Sequence, residues 1–171
     1  AGLLVLGSIV AQYGLGQEWA VWLRAIAVIG VVGWNSRLWQ FPRTRSALSF
    51  GVYLSHWMLV AGMLWVAMLP RFRVEGLHLM FVGGFSILIL SVRMRVVLAH
   101  RGYPLIWEQK SRPLQFGIAV FVFATLTRIG APFAPDTYLM HLGIAGAAWM
   151  LGFAVWGAIL VRRILIDGPG P

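Results

Sequence analysis

The sequence contains no cysteine and very few acidic residues. Only five of its 171 residues are Asp or Glu, and charged residues make up 11% of the chain. The absence of cysteine excludes disulfides, thiolate metal sites and covalent attachment of c-type haem. Soluble domains carry about a quarter charged residues. With 60% hydrophobic residues and a mean hydropathy of +0.80, the composition excludes a soluble globular domain, a disordered chain and a nucleic-acid-binding domain.

Long apolar stretches follow one another along the chain, separated by proline, glycine and charged residues. They span residues 1–16, 18–39, 46–69, 77–99, 113–129 and 137–164. A helix needs about 20 residues to cross about 30 Å of hydrocarbon, so the first stretch is only part of a spanning helix. We therefore predict one all-α domain over residues 1–171, a polytopic transmembrane bundle of five to six helices.

The basic residues indicate how such a bundle is oriented. If every stretch crosses the bilayer, ten of the 14 basic residues fall on one side, which the positive-inside rule makes cytoplasmic, together with the C-terminus. These ten are Arg37, Arg43, Arg45, Arg93, Arg95, Arg101, Lys110, Arg112, Arg162 and Arg163. The net charge of +9 is thus explained by orientation in the membrane rather than by a nucleic-acid partner.

Four histidines are candidate metal ligands. His78 and His141 lie near the starts of the fourth and sixth stretches, which begin on the same outer side, so the two imidazoles are predicted at one depth. Such a pair can hold a haem iron from both sides or bind copper. His56 and His100 lie towards the cytoplasmic side and would belong to a different site. The alternative for each histidine is a structural hydrogen bond to a neighbour.

Two arginines lie inside apolar stretches on the same side as His78 and His141. Arg24 and Arg128 would be costly in hydrocarbon unless each is paired or near water, and both suit haem propionates or a small anion. Alternatively, they pair with one of the outer-side acids or extend towards the lipid headgroups. No phosphate loop, dinucleotide fingerprint or nucleophile elbow is present, so the sequence leaves open whether the protein is an enzyme.

One block of residues resembles the NnrS family. It runs from Gly76-Leu-His78 through Gly83-Gly84 to Arg95-Val-Val-Leu-Ala-His100-Arg-Gly102-Tyr-Pro104-Leu105. Weaker similarities precede and follow it in the expected order, so the resemblance covers about residues 40–171 and suggests the C-terminal half of the family. The matching positions are His56, His78, Arg95, His100, Gly102, Arg128 and Asp167, whereas His141 is supported by its depth alone.

This resemblance implies a multi-pass protein of the bacterial inner membrane that binds haem b or copper and takes part in the nitric oxide response or denitrification. In that interpretation His78 and His141 are cofactor ligands, Arg128 and Arg24 offset cofactor charge, and His100 and His56 are further metal ligands. The implied partners are the lipid bilayer and either other membrane subunits or a missing N-terminal half.

Two other function classes are open at this stage. The chain is alternatively a non-catalytic helical subunit of a larger membrane complex that binds lipid or pigment at its glycine-rich faces. A transporter is a third possibility, disfavoured because no inverted repeat is visible.

Overall fold

The computed structural model describes residues 2–44 and 46–163. Arg45, the end of the sixth predicted segment and Asp167 lie outside the described residues. Within the described part every regular element is a helix, and this confirms the predicted all-α class.

Over the described residues, the bundle contains eight α-helices, two π-helical stretches and three short 3-10 turns. The α-helices are α1 Gly2–Ile9, α2 Ala20–Ser36, α3 Ala47–Met68, α4 Arg73–His78, α5 Ser86–His100, α6 Leu105–Lys110, α7 Arg112–Gly130 and α8 Tyr138–Val161. The π-helical stretches are Val10–Gly14, which continues α1, and Leu79–Phe85, which joins α4 to α5.

In the part of the chain that the structure describes, four helical segments are long and apolar enough to span a membrane. They are Ala47–Met68, Pro70–His100, Arg112–Phe133 and Pro135–Val161, while Gly2–Gly14 and Ala20–Ser36 are shorter apolar helices. The chain is therefore a membrane protein built as a helical bundle. Its first two apolar segments are too short to cross about 30 Å of hydrocarbon along the membrane normal.

Local signals in the sequence account for several helix boundaries. Ser46 caps α3, because its Oγ accepts a hydrogen bond from the Ser49 amide at 3.1 Å. Pro113 lies in the first turn of α7, where a missing N–H is tolerated. Arg37 ends α2 in the left-handed conformation at φ 46°, which few residues other than glycine adopt. The short helix α6 has no counterpart among the predicted segments, and an Arg95–Glu108 ion pair ties it to α5.

The fourth segment is not a uniform α-helix, although its composition predicts one. The π-helical stretch follows His78 directly and holds Gly83 and Gly84 against neighbouring helices. A Cβ on Gly83 would lie 2.7 Å from Met58 Sδ, and one on Gly84 would lie 2.8 Å from Leu59 Cγ. Because a π-turn inserts an extra residue, the side chains before and after it face different neighbours.

The helix α3 lies at the centre of the bundle. It packs against α2, against the α4–α5 segment and against α7, while α8 packs mainly against α7. We call the end that carries Arg37, Arg43, Arg101 and Lys110 the arginine-rich end. The end with Trp19, Arg71 and Pro135 is called the opposite end. Every candidate site is positioned relative to these two ends.

Candidate functional site

His78 is the last residue of α4 and lies near the opposite end. Its half-buried ring hydrogen-bonds through Nδ1 to the Val74 carbonyl oxygen at 2.7 Å. A carbonyl only accepts, so Nδ1 must donate, and in the neutral ring this leaves a lone pair on Nε2. That tautomer can bind a metal through Nε2, and a backbone carbonyl is a common partner of the other ring nitrogen in metal-bound histidines.

The other three histidines share this geometry. The Nδ1 atoms of His56 and His100 lie 2.6 Å from Val52 O and 2.8 Å from Val96 O. His141 Nδ1 lies 3.0 Å from Thr137 O and 3.2 Å from Thr137 Oγ1. In each case the partner is one turn earlier on the same helix. This bond is the structural role foreseen as the alternative, and it also leaves each Nε2 available to a ligand.

Packing contacts give His78 and His141 similar heights along the bundle axis. Gly83 approaches Thr125, and Gly152 approaches the Phe121 ring, in both cases between antiparallel helices. Towards the opposite end, His78 is five residues from Gly83 and Gly130 is five residues from Thr125, so His78 and Gly130 have similar heights. In the same direction, His141 is eleven residues from Gly152 and Pro132 is eleven residues from Phe121. Gly130 and Pro132 are two positions apart, about 3–4 Å along the helix axis, so His78 and His141 have similar heights near the end of α7.

A hydrogen bond between α5 and α8 supports the same register. Trp149 Nε1 donates to Ser86 Oγ at 3.4 Å. His78 lies eight residues before Ser86, and His141 lies eight residues before Trp149. Nearer the opposite end, α4 packs against α3 and α7, and α8 packs against α7. No hydrogen bond joins His78 to His141. Their joint binding of one iron stays a prediction.

Arg128 lies at nearly the same height as the two histidines and carries a buried donor atom. Its Nη1 atom is buried and has no hydrogen-bond partner among the described residues. The ion pairs with Glu18, Glu75 or Asp136 that would give Arg128 a structural role are not formed in this part of the chain. The contact of Gly83 with Thr125 puts Arg128 at the height of Met80, about 3 Å or half a turn from the height of His78.

Two further polar groups at this end were not among the predicted site residues. Glu75 is only 7% exposed, and no hydrogen bond or ion pair reaches its carboxylate from the described residues. Trp65 Nε1 is likewise buried without a partner in that part of the chain. The signal for Glu75 is its spacing, because an acid three residues before a histidine shares its helix face.

The structure assigns Arg24 to a different contact. Its Nη2 donates to Gln12 Oε1 at 2.6 Å, which joins α2 to the π-helical stretch after α1. Arg73 lies over the Tyr13 ring in the same region, 5.2 Å from its centroid. Arg24 therefore has a structural partner, whereas Arg128 has none among residues 2–44 and 46–163.

His56 and His100 lie away from the His78 level. His56 lines a cavity of about 280 Å³ with Tyr53 and Ser49, and His100 is exposed at the end of α5. Among the described residues, no group of three or more His, Cys, Asp or Glu side chains is close enough to hold a metal ion. These residues can therefore supply at most two ligands to one metal ion.

Comparison with known sequences decides the family. A sequence profile of the NnrS protein family matches residues 1–167. The chain belongs to the NnrS family. The match begins well before residue 40, where the first recognisable motif lies, so the family relationship includes α1 and α2. Searches of curated proteins and of solved structures returned no match.

Proposed function

We propose that this NnrS-family protein binds a b-type haem at the opposite end of the bundle, with His78 as an axial ligand, and acts in the nitric oxide response. The proposal depends mainly on Arg128. Its Nη1 atom is buried without a partner among the described residues, and the residue lies within about half a turn of the height of His78. An unsatisfied buried donor costs about 1–3 kcal/mol, and more when it is charged. A carboxylate of the cofactor would satisfy it.

The pattern of ligands favours haem over a copper ion held by protein alone. Metal ions bound only by side chains usually need three or four ligands, and the described residues offer none grouped in that number. Haem iron needs only one or two axial side chains. In the proposal His78 supplies the first and His141 the second, and His56 and His100 take no part in this site.

Each residue then has a defined task. The Val74 carbonyl fixes the His78 tautomer, Arg128 holds cofactor charge, and the apolar side chains of α7 and α8 exclude water. When bound, haem would supply an iron that binds small gases or carries electrons. Arg24 is left to the contact with Gln12. The arginine-rich end faces the cytoplasm of a bacterial inner membrane in this proposal.

Absorption spectra of the purified protein test the haem ligand. We expect a pyridine-haemochrome signal and a Soret band from the unmodified chain. His78→Ala should lose or shift the Soret band, and His141→Ala should shift it if the two rings share the iron. His100→Ala is the matched control, because that exposed ring makes the same type of backbone hydrogen bond at the other end. An unmodified chain without haem, or a His78→Ala spectrum identical to it, refutes the proposal.

A second candidate function follows from the exposure of α8. Of the four spanning segments, Pro135–Val161 is the least buried. A Cβ on Gly143, Gly146 or Gly157 would meet no atom within 4 Å. Small residues allow close helix contacts in membranes, so this surface suits a partner helix in a larger complex. Native mass measurement separates the two candidates, because a haem-free chain always found with the same second chain favours the subunit role.

A further inference from the structure

Two adjoining recesses open at the arginine-rich end. The larger is an apolar groove of about 940 Å³ between the loop around Pro42, α3 and α7. Its walls extend from that loop towards the middle of the bundle. They are formed chiefly by Phe50, Leu54, Ile118, Ala119 and Val122. The groove therefore runs parallel to the spanning helices.

The second recess is polar and cationic. It measures about 380 Å³ and is lined by Arg37 and Arg43 together with Ser36, Gln40 and Ser49. It shares Phe41, Pro42 and Thr44 with the apolar groove. Among the described residues, no acidic side chain lines either recess. Neither guanidinium has a hydrogen bond or ion pair with the described residues. Two cationic side chains therefore lie at one end of the apolar groove.

We propose that the two recesses together bind one anionic phospholipid. Its phosphate lies between Arg37 and Arg43, and one acyl chain follows the groove along α3 and α7. Guanidinium groups recognise phosphate oxygens through paired N–H donors. Basic pockets between transmembrane helices on the cytoplasmic side are suited to anionic head groups. The bound acyl chain would cover groove-lining side chains such as Phe50 and Leu54.

The charge of the polar recess decides between a lipid and a protein occupant. A partner helix would fill the apolar groove but would leave Arg37 and Arg43 without an anion. A zwitterionic lipid would bring a cationic group to the same two arginines. An anionic phospholipid satisfies both recesses at once, and it does so independently of the haem proposed at the opposite end.

Native mass spectrometry of the detergent-purified full chain tests this site. We expect phosphatidylglycerol to bind more tightly than phosphatidylcholine of identical acyl chains. The double variant Arg37→Gln/Arg43→Gln should weaken phosphatidylglycerol binding by about fivefold for each arginine removed. Arg71→Gln/Arg73→Gln is the matched control, because it removes the same charge at the opposite end and should leave this binding unchanged. Arg37 and Arg43 are exposed, so their replacement leaves the packing intact.

A second pair of variants tests the groove. Ala119 is exposed on α7 and lines the groove, so Ala119→Trp should occupy the acyl-chain path and reduce binding of both lipids. Ala147→Trp, at an exposed position of α8, should not. Equal binding of the two lipids, or an unchanged preference in the Arg37/Arg43 variant, would overturn the proposal. Displacement of phosphatidylglycerol by an equal concentration of inorganic phosphate would also overturn it, because the groove would then contribute nothing.

Discussion

At the scale of single residues, helix geometry sets the chemistry of the histidines. Each Nδ1 reaches a carbonyl one turn earlier, and for His78 this bond to Val74 needs no tertiary contact. The arginines differ from the histidines in this respect. Arg24 and Arg128 look alike in the sequence, as single cations in apolar stretches. Arg24 nevertheless donates to Gln12, whereas the buried Nη1 atom of Arg128 has no partner in the described part of the chain.

Paired substitutions distinguish these two arginines. Arg24→Met should destabilise the haem-free protein by about 1.5–3 kcal/mol, because it removes a hydrogen bond made by a charged group. Arg128→Met should leave the haem-free protein at least as stable as the unmodified chain, since it removes an unsatisfied buried donor. Thermal unfolding in detergent, followed by circular dichroism, measures both effects.

Haem titration of the same variants completes the comparison. Arg128→Met should weaken haem binding about 10- to 100-fold, which corresponds to the loss of one charge-assisted hydrogen bond. It should leave the Soret maximum in place, because the axial ligand is untouched. Arg24→Met should bind haem normally. Equal haem affinities in the two variants would show that Arg128 does not contact the cofactor.

At the scale of helices, close glycine contacts determine how α3 and α4 cross. Gly62 and Gly76 face each other so closely that a Cβ on Gly62 would lie 2.7 Å from the Gly76 carbonyl oxygen. The same Cβ would lie 2.5 Å from Met80 Cγ. This crossing brings Glu75 into the interior and sets the position from which His78 projects.

The crossing predicts a strong effect from one methyl group. Gly62→Ala should destabilise the protein by about 1–3 kcal/mol, because a backbone oxygen cannot move aside as a flexible side chain does. Gly143→Ala is the control: its Cβ meets no atom within 4 Å, and alanine is the better helix former by about 1 kcal/mol. Unfolding midpoints in the same detergent give the comparison. A Gly62→Ala protein as stable as the control would mean that α3 and α4 cross elsewhere.

At the scale of the whole molecule, charge is distributed unevenly between the two ends. Arg37, Arg43, Arg101 and Lys110 share one end of the bundle, and the opposite end carries Arg71 and Arg73. The helical bundle and the membrane environment are findings of the structure and the family match. The side that each end faces follows from the positive-inside rule and stays a prediction.

Single introduced cysteines test the orientation, because the native chain has none. Lys110→Cys lies at the arginine-rich end and Asp136→Cys at the opposite end, both at exposed positions. In intact cells a membrane-impermeant maleimide should label Asp136→Cys alone, and permeabilisation should add Lys110→Cys. The cysteine-free parent controls for background labelling. The reverse pattern would place the C-terminus outside the cytoplasm.

Hydrophobic length and turn chemistry made most of the helices predictable. The third predicted segment, 46–69, contains α3 Ala47–Met68, and the fifth, 113–129, lies within α7 Arg112–Gly130. The π-helical stretch Leu79–Phe85 was not predictable, because its residues are as apolar as an α-helix requires. The short helix α6 was also missed, since the Arg95–Glu108 ion pair that holds it is a contact between two different helices.

The sequence by itself determined the all-α class, the membrane environment and the residue types able to bind a cofactor, because hydropathy and side-chain chemistry are local properties. Only the tertiary structure decided that Arg24 has Gln12 as its partner while Arg128 Nη1 has none in the described chain, and that Glu75 is buried. These outcomes depend on which helices touch and at what register. Contacts such as Gly62 on Gly76 determine that register, and no single segment contains both partners.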